Sequence, residues 1–214
     1  DEAHIARACA DGACLGSEMA WLLERTPARV LALTGSDGKT TTTTLTARIL
    51  EAQCKARGGG QVFLGGNLGT PLLSELPRMR EQDFVVVELS SFQLQNATRS
   101  PEVSAITNIT PNHLNWHTDM QEYADAKRRI YAFAPNRRLV ANAENPTVRE
   151  MALASGRRVT WFSSLKRSVG EFSSLMHEGD HAIFADREGS VRLFDGERER
   201  HLLSAQEIRL PGRH

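Results

Sequence analysis

The residues with the clearest chemical potential lie in LALTGSDGKTTTTTL (31–45), where an apolar run meets a glycine-flanked turn, a lysine and five consecutive threonines. A strand that ends in such a turn and opens a helix gathers unpaired backbone N–H groups and the positive end of a helix dipole at one point, and such a point holds phosphate. On this reading Lys39 reaches the terminal phosphates and the Thr40 hydroxyl coordinates Mg²⁺, as in G-x-x-x-x-G-K-[ST]. The position five before Gly38 is Leu33, so that longer pattern is not met, and Gly35-Ser36-Asp37-Gly38 forms a tighter loop. A plain turn with glycines and a threonine cap would account for Gly35, Gly38 and one hydroxyl. It would not account for the lysine, nor for a β-branched run that costs helix stability. Phosphate binding is therefore expected of Lys39 and Thr40, and helix surface or packing of Thr42 to Thr44.

Three other segments carry groups of interest. VVVELSSFQL (85–94) puts Glu88 at the carboxyl end of an apolar strand, where open α/β sheets bind ligands. A buried carboxylate is costly unless paired or metal-bound. A Mg²⁺ role for Glu88 and a helix-capping role for the Glu88, Ser90, Ser91 and Gln93 cluster stand even. ITNITPNHLNWH (106–117) ends another apolar strand with His113 and His117 four apart, but Leu114 occupies the acid position of HExxH, which excludes that metalloprotease pattern. His113 is the better candidate for ligand or proton carrier. Lys127, in EYADAKRRIY, reads from its own segment as part of a solvated basic face.

These groups need a scaffold, and the pattern around them supplies one. Residues 1–26 read as a short helix, a turn at Asp11-Gly12 and a second helix from Glu18 to Arg25. From Arg29 the chain alternates strand, loop and helix. RVLALT is followed by a helix expected to place Leu45, Ile49, Leu50 and Cys54 on one face. Apolar runs at 61–66, 84–89, 103–109 and 138–142, separated by helical segments such as 119–134, predict a doubly wound, mostly parallel α/β sheet covered on both sides. HAIFADREGSVRLFDG (181–196) reads as a hairpin. With RVTWFS (158–163) and EIRL (207–210) it predicts a small antiparallel sheet near the C-terminus.

Composition limits the function classes. Lys plus Arg and Asp plus Glu both number 26 in 214 residues, so there is no electrostatic case for a nucleic-acid or membrane partner. Cys9, Cys14 and Cys54 form no CxxC pair, which argues against a disulfide framework or zinc knuckle and for a reducing cytoplasm. No apolar run is long enough for a membrane span, and no leader pattern is seen. The chain starts without methionine and ends at LPGRH, so it is expected to be part of a longer protein.

Taken in order, GSDGKTT, GGNLGTP, VVELSSFQL, NITPNHLNWH and YADAKRRIY resemble the central ATP-binding domain of the Mur ligases, from about Arg29 to His214. ELSSFQL is most similar to the branch that adds D-glutamate to UDP-N-acetylmuramoyl-L-alanine in peptidoglycan synthesis. The resemblance implies three domains: residues 1–26 as the end of an N-terminal UDP-binding domain and linker, 27–214 as the central domain, and a C-terminal amino-acid-binding domain absent from this chain. LPGRH resembles the start of a segment whose following asparagine contacts adenine. The implied chemistry is ATP-driven amide formation through an acyl phosphate, by a cytoplasmic enzyme expected to be monomeric. The cofactors it implies are ATP and Mg²⁺ at two sites. By match, Gly35, Ser36, Asp37, Gly38, Lys39, Thr40 and Thr41 hold the nucleotide, Thr40 and Glu88 the first Mg²⁺, and His113 the second. Asn67 sits near the reacting carboxylate and γ-phosphate, and Ser90 and Gln93 touch the muramoyl-alanine portion. Lys127 matches a lysine that the family carbamylates. An unmodified lysine would repel Mg²⁺, whereas its carbamate is an anion able to orient one.

Two residues depart from the common pattern. Asn115 replaces a frequent aspartate beside His113, removing a charge near that metal. Asp37 replaces a frequent asparagine; an acid among phosphates is expected to turn away, capping the following helix or accepting from backbone N–H groups or metal-bound water. The competing readings are another Mur ligase or a folylpolyglutamate synthetase, a nucleotide-binding module that does not ligate by itself, and a P-loop GTPase or kinase. No nucleotide-specificity motif supports the last.

Overall fold

The computed structural model describes residues 2–13, 16–67, 71–111 and 118–208. Helices α1 (Glu2–Ala10) and α2 (Glu18–Arg25) precede β1 (Arg29–Thr34), α3 (Lys39–Arg57), β2 (Val62–Gly66), β3 (Phe84–Glu88), α4 (Ser91–Gln95) and β4 (Val103–Ile106). Then follow α5 (Met120–Ala132), β5 (Arg138–Asn142), α6 (Pro146–Leu153), β6 (Val159–Ser163), β7 (His181–Ala185), β8 (Val191–Phe194) and β9 (Glu199–Leu203). The strands form one sheet in the order β2-β3-β1-β4-β5-β6-β7-β8-β9. From β2 to β7 the pairing is parallel, and β8 and β9 are antiparallel. The expected doubly wound α/β fold is present, and no described helix is long and apolar enough to cross a membrane.

Strand alternation decides which side each functional group faces. Val85 and Val87 of β3 join the main core with Val30 and Ala32 of β1. Val86 packs on the other face with Leu33 of β1 and Ala47 of α3. Because side chains two apart in a strand share a face, Glu88 follows Val86 toward α3, and Thr34 follows Ala32 toward α5. The order reverses at β1, which lies between β3 and β4, and ligands bind at such a switch point beyond the strands' carboxyl ends.

Several details differ from the sequence pattern. The buried face of α3 runs through Thr43, Ala47 and Cys54, with Leu50 partly covered, whereas Ile49 is 68% exposed. Thr42, Thr43 and Thr46 donate hydroxyl bonds of 2.8 Å to carbonyls four residues back, so the threonine run satisfies itself locally. β4 stops at Ile106, because Thr107 and Asn108 turn toward the loop after β1 and hydrogen-bond Asp37. RVTWFS is not part of a separate antiparallel sheet: β6 pairs in parallel with β5 and β7. The third antiparallel strand is β9, not EIRL, whose Glu207 ends a 3-10 turn (Ala205–Glu207) and whose Arg209 and Leu210 lie outside the described residues. β9 is exposed at every position, so no apolar alternation announces it.

Helix α2 packs into the main core through Met19, Leu22 and Leu23. Ser17 caps it, accepting from the Ala20 N–H at 3.1 Å.

Candidate active site

The loop after β1 delivers Lys39 and Thr40 in the first turn of α3. Gly38 caps that helix in the left-handed region with φ 77°, and Gly35 has φ 154°. A Cβ on Gly35 would lie 1.9 Å from Thr107 Oγ1, so close approach of the β4 loop requires glycine there as much as any phosphate does. Asp37 is not the cap. Its side chain is exposed, and its backbone is the part that is held: the N–H donates to Asn108 Oδ1 at 2.9 Å, and the carbonyl accepts from Thr107 Oγ1 at 2.7 Å and Asn108 Nδ2 at 3.2 Å.

Glu88 closes the α3 side. It is 3% exposed, and its two oxygens accept from Thr40 Oγ1 at 2.7 Å and Asn67 Nδ2 at 3.2 Å. Asn67 reaches it because β2 comes very close to β3 at Gly66, where a Cβ would sit 2.2 Å from the Glu88 carbonyl, and the Asn67 N–H donates to that carbonyl at 2.8 Å. Thr40, Glu88 and Asn67, expected in separate roles, are therefore one hydrogen-bonded unit. Thr41 is exposed and makes no side-chain hydrogen bond among the described residues.

Lys127 closes the α5 side, and it is not on a solvated face: it is 2% exposed. Its Nζ donates to Thr34 Oγ1 at 3.2 Å and the Gly35 carbonyl at 3.0 Å, and lies 4.6 Å from the Tyr123 ring centroid. Burial draws its pKa from 10.5 down to about 7; the Lys39 charge pushes the same way and Glu88 opposes it. Lys39 Nζ donates to the Ser36 carbonyl at 2.9 Å, so the two lysines sit on adjacent carbonyls of one loop. Arg128 is exposed and pairs with Asp125, as a surface residue should.

Gly35, Lys39, Asn67, Ser90, Ser91, Phe92, Tyr123 and Lys127 line a pocket of about 120 Å³. Ser90 and Gln93 also form a capping box on α4: Gln93 N–H donates to Ser90 Oγ at 3.3 Å and Ser90 N–H to Gln93 Oε1 at 3.0 Å. The capping role expected as an alternative for these two is thus present, with Ser90 on the pocket wall and Gln93 behind it. His113, Asn115 and His117 lie outside the described residues. Sequence reasoning overlooked Thr34, Tyr123, Thr107 and Asn108. Tyr123 stands one helical turn before Lys127, which was the available signal; Thr34, Thr107 and Asn108 are hidden in strand runs.

Comparison with known proteins follows the same geometry. Residues 33–214 match the family model described as Mur ligase middle domain. A protein of Acetivibrio thermocellus named "UDP-N-acetylmuramoylalanine--D-glutamate ligase" is 40% identical over 215 aligned residues, covering 100% of this chain and 42% of that protein. One of the same name from Symbiobacterium thermophilum is 40% identical over 95% of this chain and 42% of its own length. The chain thus spans less than half the length of the curated relatives it matches. A solved structure titled "Structure of UDP-N-acetylmuramoyl-L-alanyl-D-glutamate--2, 6-diaminopimelate ligase" superposes with a TM-score of 0.60 over 86% of this chain and 41% of that one; at 19% identity it speaks for the fold. With the Gly35–Gly38 loop, Glu88 and Lys127 all inside the matched segment, this chain belongs to the Mur ligase family, most of it being that family's middle domain.

Proposed function

We propose that the chain is the ATP-binding part of an ADP-forming ligase that joins D-glutamate to the L-alanyl carboxylate of UDP-N-acetylmuramoyl-L-alanine in the cytoplasm. The observation that carries the reading is the junction of Thr40, Glu88 and Asn67 at the start of α3, opposite a buried lysine. In the proposed reaction a substrate carboxylate oxygen attacks the γ-phosphorus and ADP leaves. The amine then attacks the acyl carbon, phosphate leaves, and the amine gives up a proton. Such a reaction asks the protein mainly for positioning and charge neutralisation.

The groups present suit these tasks. Backbone N–H groups at Gly38, Lys39 and Thr40 and the Lys39 ammonium receive the β- and γ-phosphates. Asn67 orients the acceptor carboxylate against them, with Ser90 and Gln93 on the muramoyl-alanine side. The donor set fits Mg²⁺: one buried carboxylate and one hydroxyl are hard oxygens, and Mg²⁺ is held by one or two protein groups plus phosphate oxygens and water. Among the described residues no group of three His, Cys, Asp or Glu gathers. Thr40 and Glu88 would hold the ion, which would supply neutralisation of phosphate charge. A second Mg²⁺ would use His113 and Lys127, the latter as its carbamate.

Lys127 suits carbamylation because burial lowers its pKa to about 7, so that the neutral amine is populated near that pH. That amine attacks the carbon of CO₂, an N–C bond forms and one proton is released. A ¹³C signal from labelled bicarbonate that is lost in Lys127→Met tests this step.

The full-length protein should release phosphate from ATP with UDP-N-acetylmuramoyl-L-alanine and D-glutamate, as a monomer. Preference for meso-diaminopimelate or L-lysine would refute the substrate assignment. Residues 1–214 alone should bind nucleotide and form no amide.

A further inference from the structure

We propose that Thr107 and Asn108, just after β4, are positioning residues that fix the phosphate loop by its backbone before nucleotide arrives; the inference rests on the nucleotide-binding reading of that loop. Ser36 N–H donates to the Asn108 carbonyl at 2.8 Å, and Asp37 N–H to Asn108 Oδ1 at 2.9 Å. The Asp37 carbonyl accepts from Thr107 Oγ1 at 2.7 Å and Asn108 Nδ2 at 3.2 Å. The Ser36 hydroxyl accepts from Thr110 N–H at 3.0 Å and donates to the Thr110 carbonyl at 3.1 Å. Both amides at the centre of the loop are therefore already spent on the β4 connection.

This division of labour has a chemical consequence. The amides of Ser36 and Asp37 cannot turn to a phosphate without breaking the clamp, which leaves Gly38, Lys39 and Thr40, the orphan donors of the helix start, to receive it. The clamp is itself anchored one strand further out. Asn142 Nδ2, at the end of β5, donates to the Thr107 carbonyl at 2.8 Å, and Asn142 Oδ1 accepts the Glu144 N–H at 2.8 Å. Asn145 Nδ2 donates to the Ile109 carbonyl at 3.1 Å. A loop ordered in advance loses less freedom on binding, so the clamp acts on affinity for phosphate beyond any effect on folding.

The test is titration of this chain with Mg²⁺-ATP and with inorganic tripolyphosphate, well below the thermal midpoint of each variant. Lys39→Ala is the control for the loop reading. Thr107→Val removes, at constant shape, the hydroxyl's 2.7 Å bond to the Asp37 carbonyl and its 3.4 Å bond to the Thr34 carbonyl, Asn108→Ala removes both side-chain bonds to Asp37, and Thr107→Ser restores the hydroxyl. We expect Thr107→Val and Asn108→Ala each to weaken both ligands by about three- to tenfold, and Thr107→Ser to stay within about twofold of the parent. If Thr107→Val does not fold, Asn108→Ala decides. Parent affinity in both folded variants, with Lys39→Ala impaired, overturns the clamp and leaves the loop reading intact. No binding of either ligand by the parent overturns both.

Discussion

Replacing Lys127 by methionine should change the pH dependence of folding stability in a way that only a buried, depressed lysine can. The ammonium is 2% exposed, and burial together with the Lys39 charge lowers its pKa from 10.5 to about 7. Below about pH 7 the lysine is charged in both folded and unfolded chains, and the full penalty of burying that charge is present. Between about 7 and 10.5 the unfolded chain holds the proton and the folded chain does not, so stability rises with pH. One pH unit inside the window is worth about 1.36 kcal/mol. From pH 7.5 to 9.5 the parent should therefore gain roughly 2.5 kcal/mol relative to Lys127→Met, once partial titration at the lower end is included. Lost hydrogen bonds to Thr34 and Gly35 shift the whole difference but not its slope.

The assay is urea unfolding at several pH values, followed by tryptophan fluorescence, with Trp161 buried in the core as a reporter. Buffers must be free of CO₂, so that the proposed carbamylation cannot consume the neutral amine. A parent-minus-variant difference that stays flat from pH 7.5 to 9.5 refutes the reasoning, because Lys127 would then be neutral in neither state or shielded in both. Adding Lys39→Ala to the parent should raise the Lys127 pKa and start the rise at higher pH, since Lys39 repulsion is one cause of the depression.

Other outcomes follow from the same geometry. On the proposed Mg²⁺ role of Glu88, Glu88→Gln should weaken Mg²⁺-ATP binding by about tenfold or more while leaving metal-free binding in EDTA unchanged, because it removes the charge of the buried carboxylate; equal loss in both conditions would count against a metal role. Gly35→Ala should cost about 3 kcal/mol in urea unfolding, since its Cβ would overlap Thr107 Oγ1 at a position with φ 154°; a cost below about 1 kcal/mol would mean the β4 loop yields freely. Asp180→Ala should cost about 3 kcal/mol, because the buried carboxylate accepts from Val159 N–H at 2.7 Å, His177 N–H at 3.0 Å and Trp161 Nε1 at 3.3 Å. An unchanged midpoint would show that water replaces it.

The parallel sheet was legible because its central strands β1 and β3 are buried at consecutive positions, hence on both faces, and spell out as apolar runs such as FVVV. The antiparallel edge was only half legible. The hairpin of β7 and β8 alternates, but β9 is held by backbone pairing and by Arg192 near Glu199, without an apolar face to betray it. The phase of α3 was misjudged for a related reason. Threonines that bond back to their own helix behave as small packing residues, so Thr43 takes a buried position that hydropathy assigns to a larger neighbour.

The site divides along the same line between side-chain identity and backbone placement. Lys39, Thr40 and Glu88 could be picked out because their chemistry resides in the side chain. Lys127 could not be separated from Arg128 and Arg129 by its own segment, since burial depends on the helix phase against β1, which the run of three cations conceals. Asp37 is the opposite case. As an acid in a phosphate loop it looks chemically out of place, yet the structure uses its N–H and carbonyl and leaves its side chain exposed. What position 37 requires is a residue whose backbone can bridge Thr107 and Asn108 between two glycines. The charge at that position is then tolerated because the side chain stays exposed, where water and salt screen it.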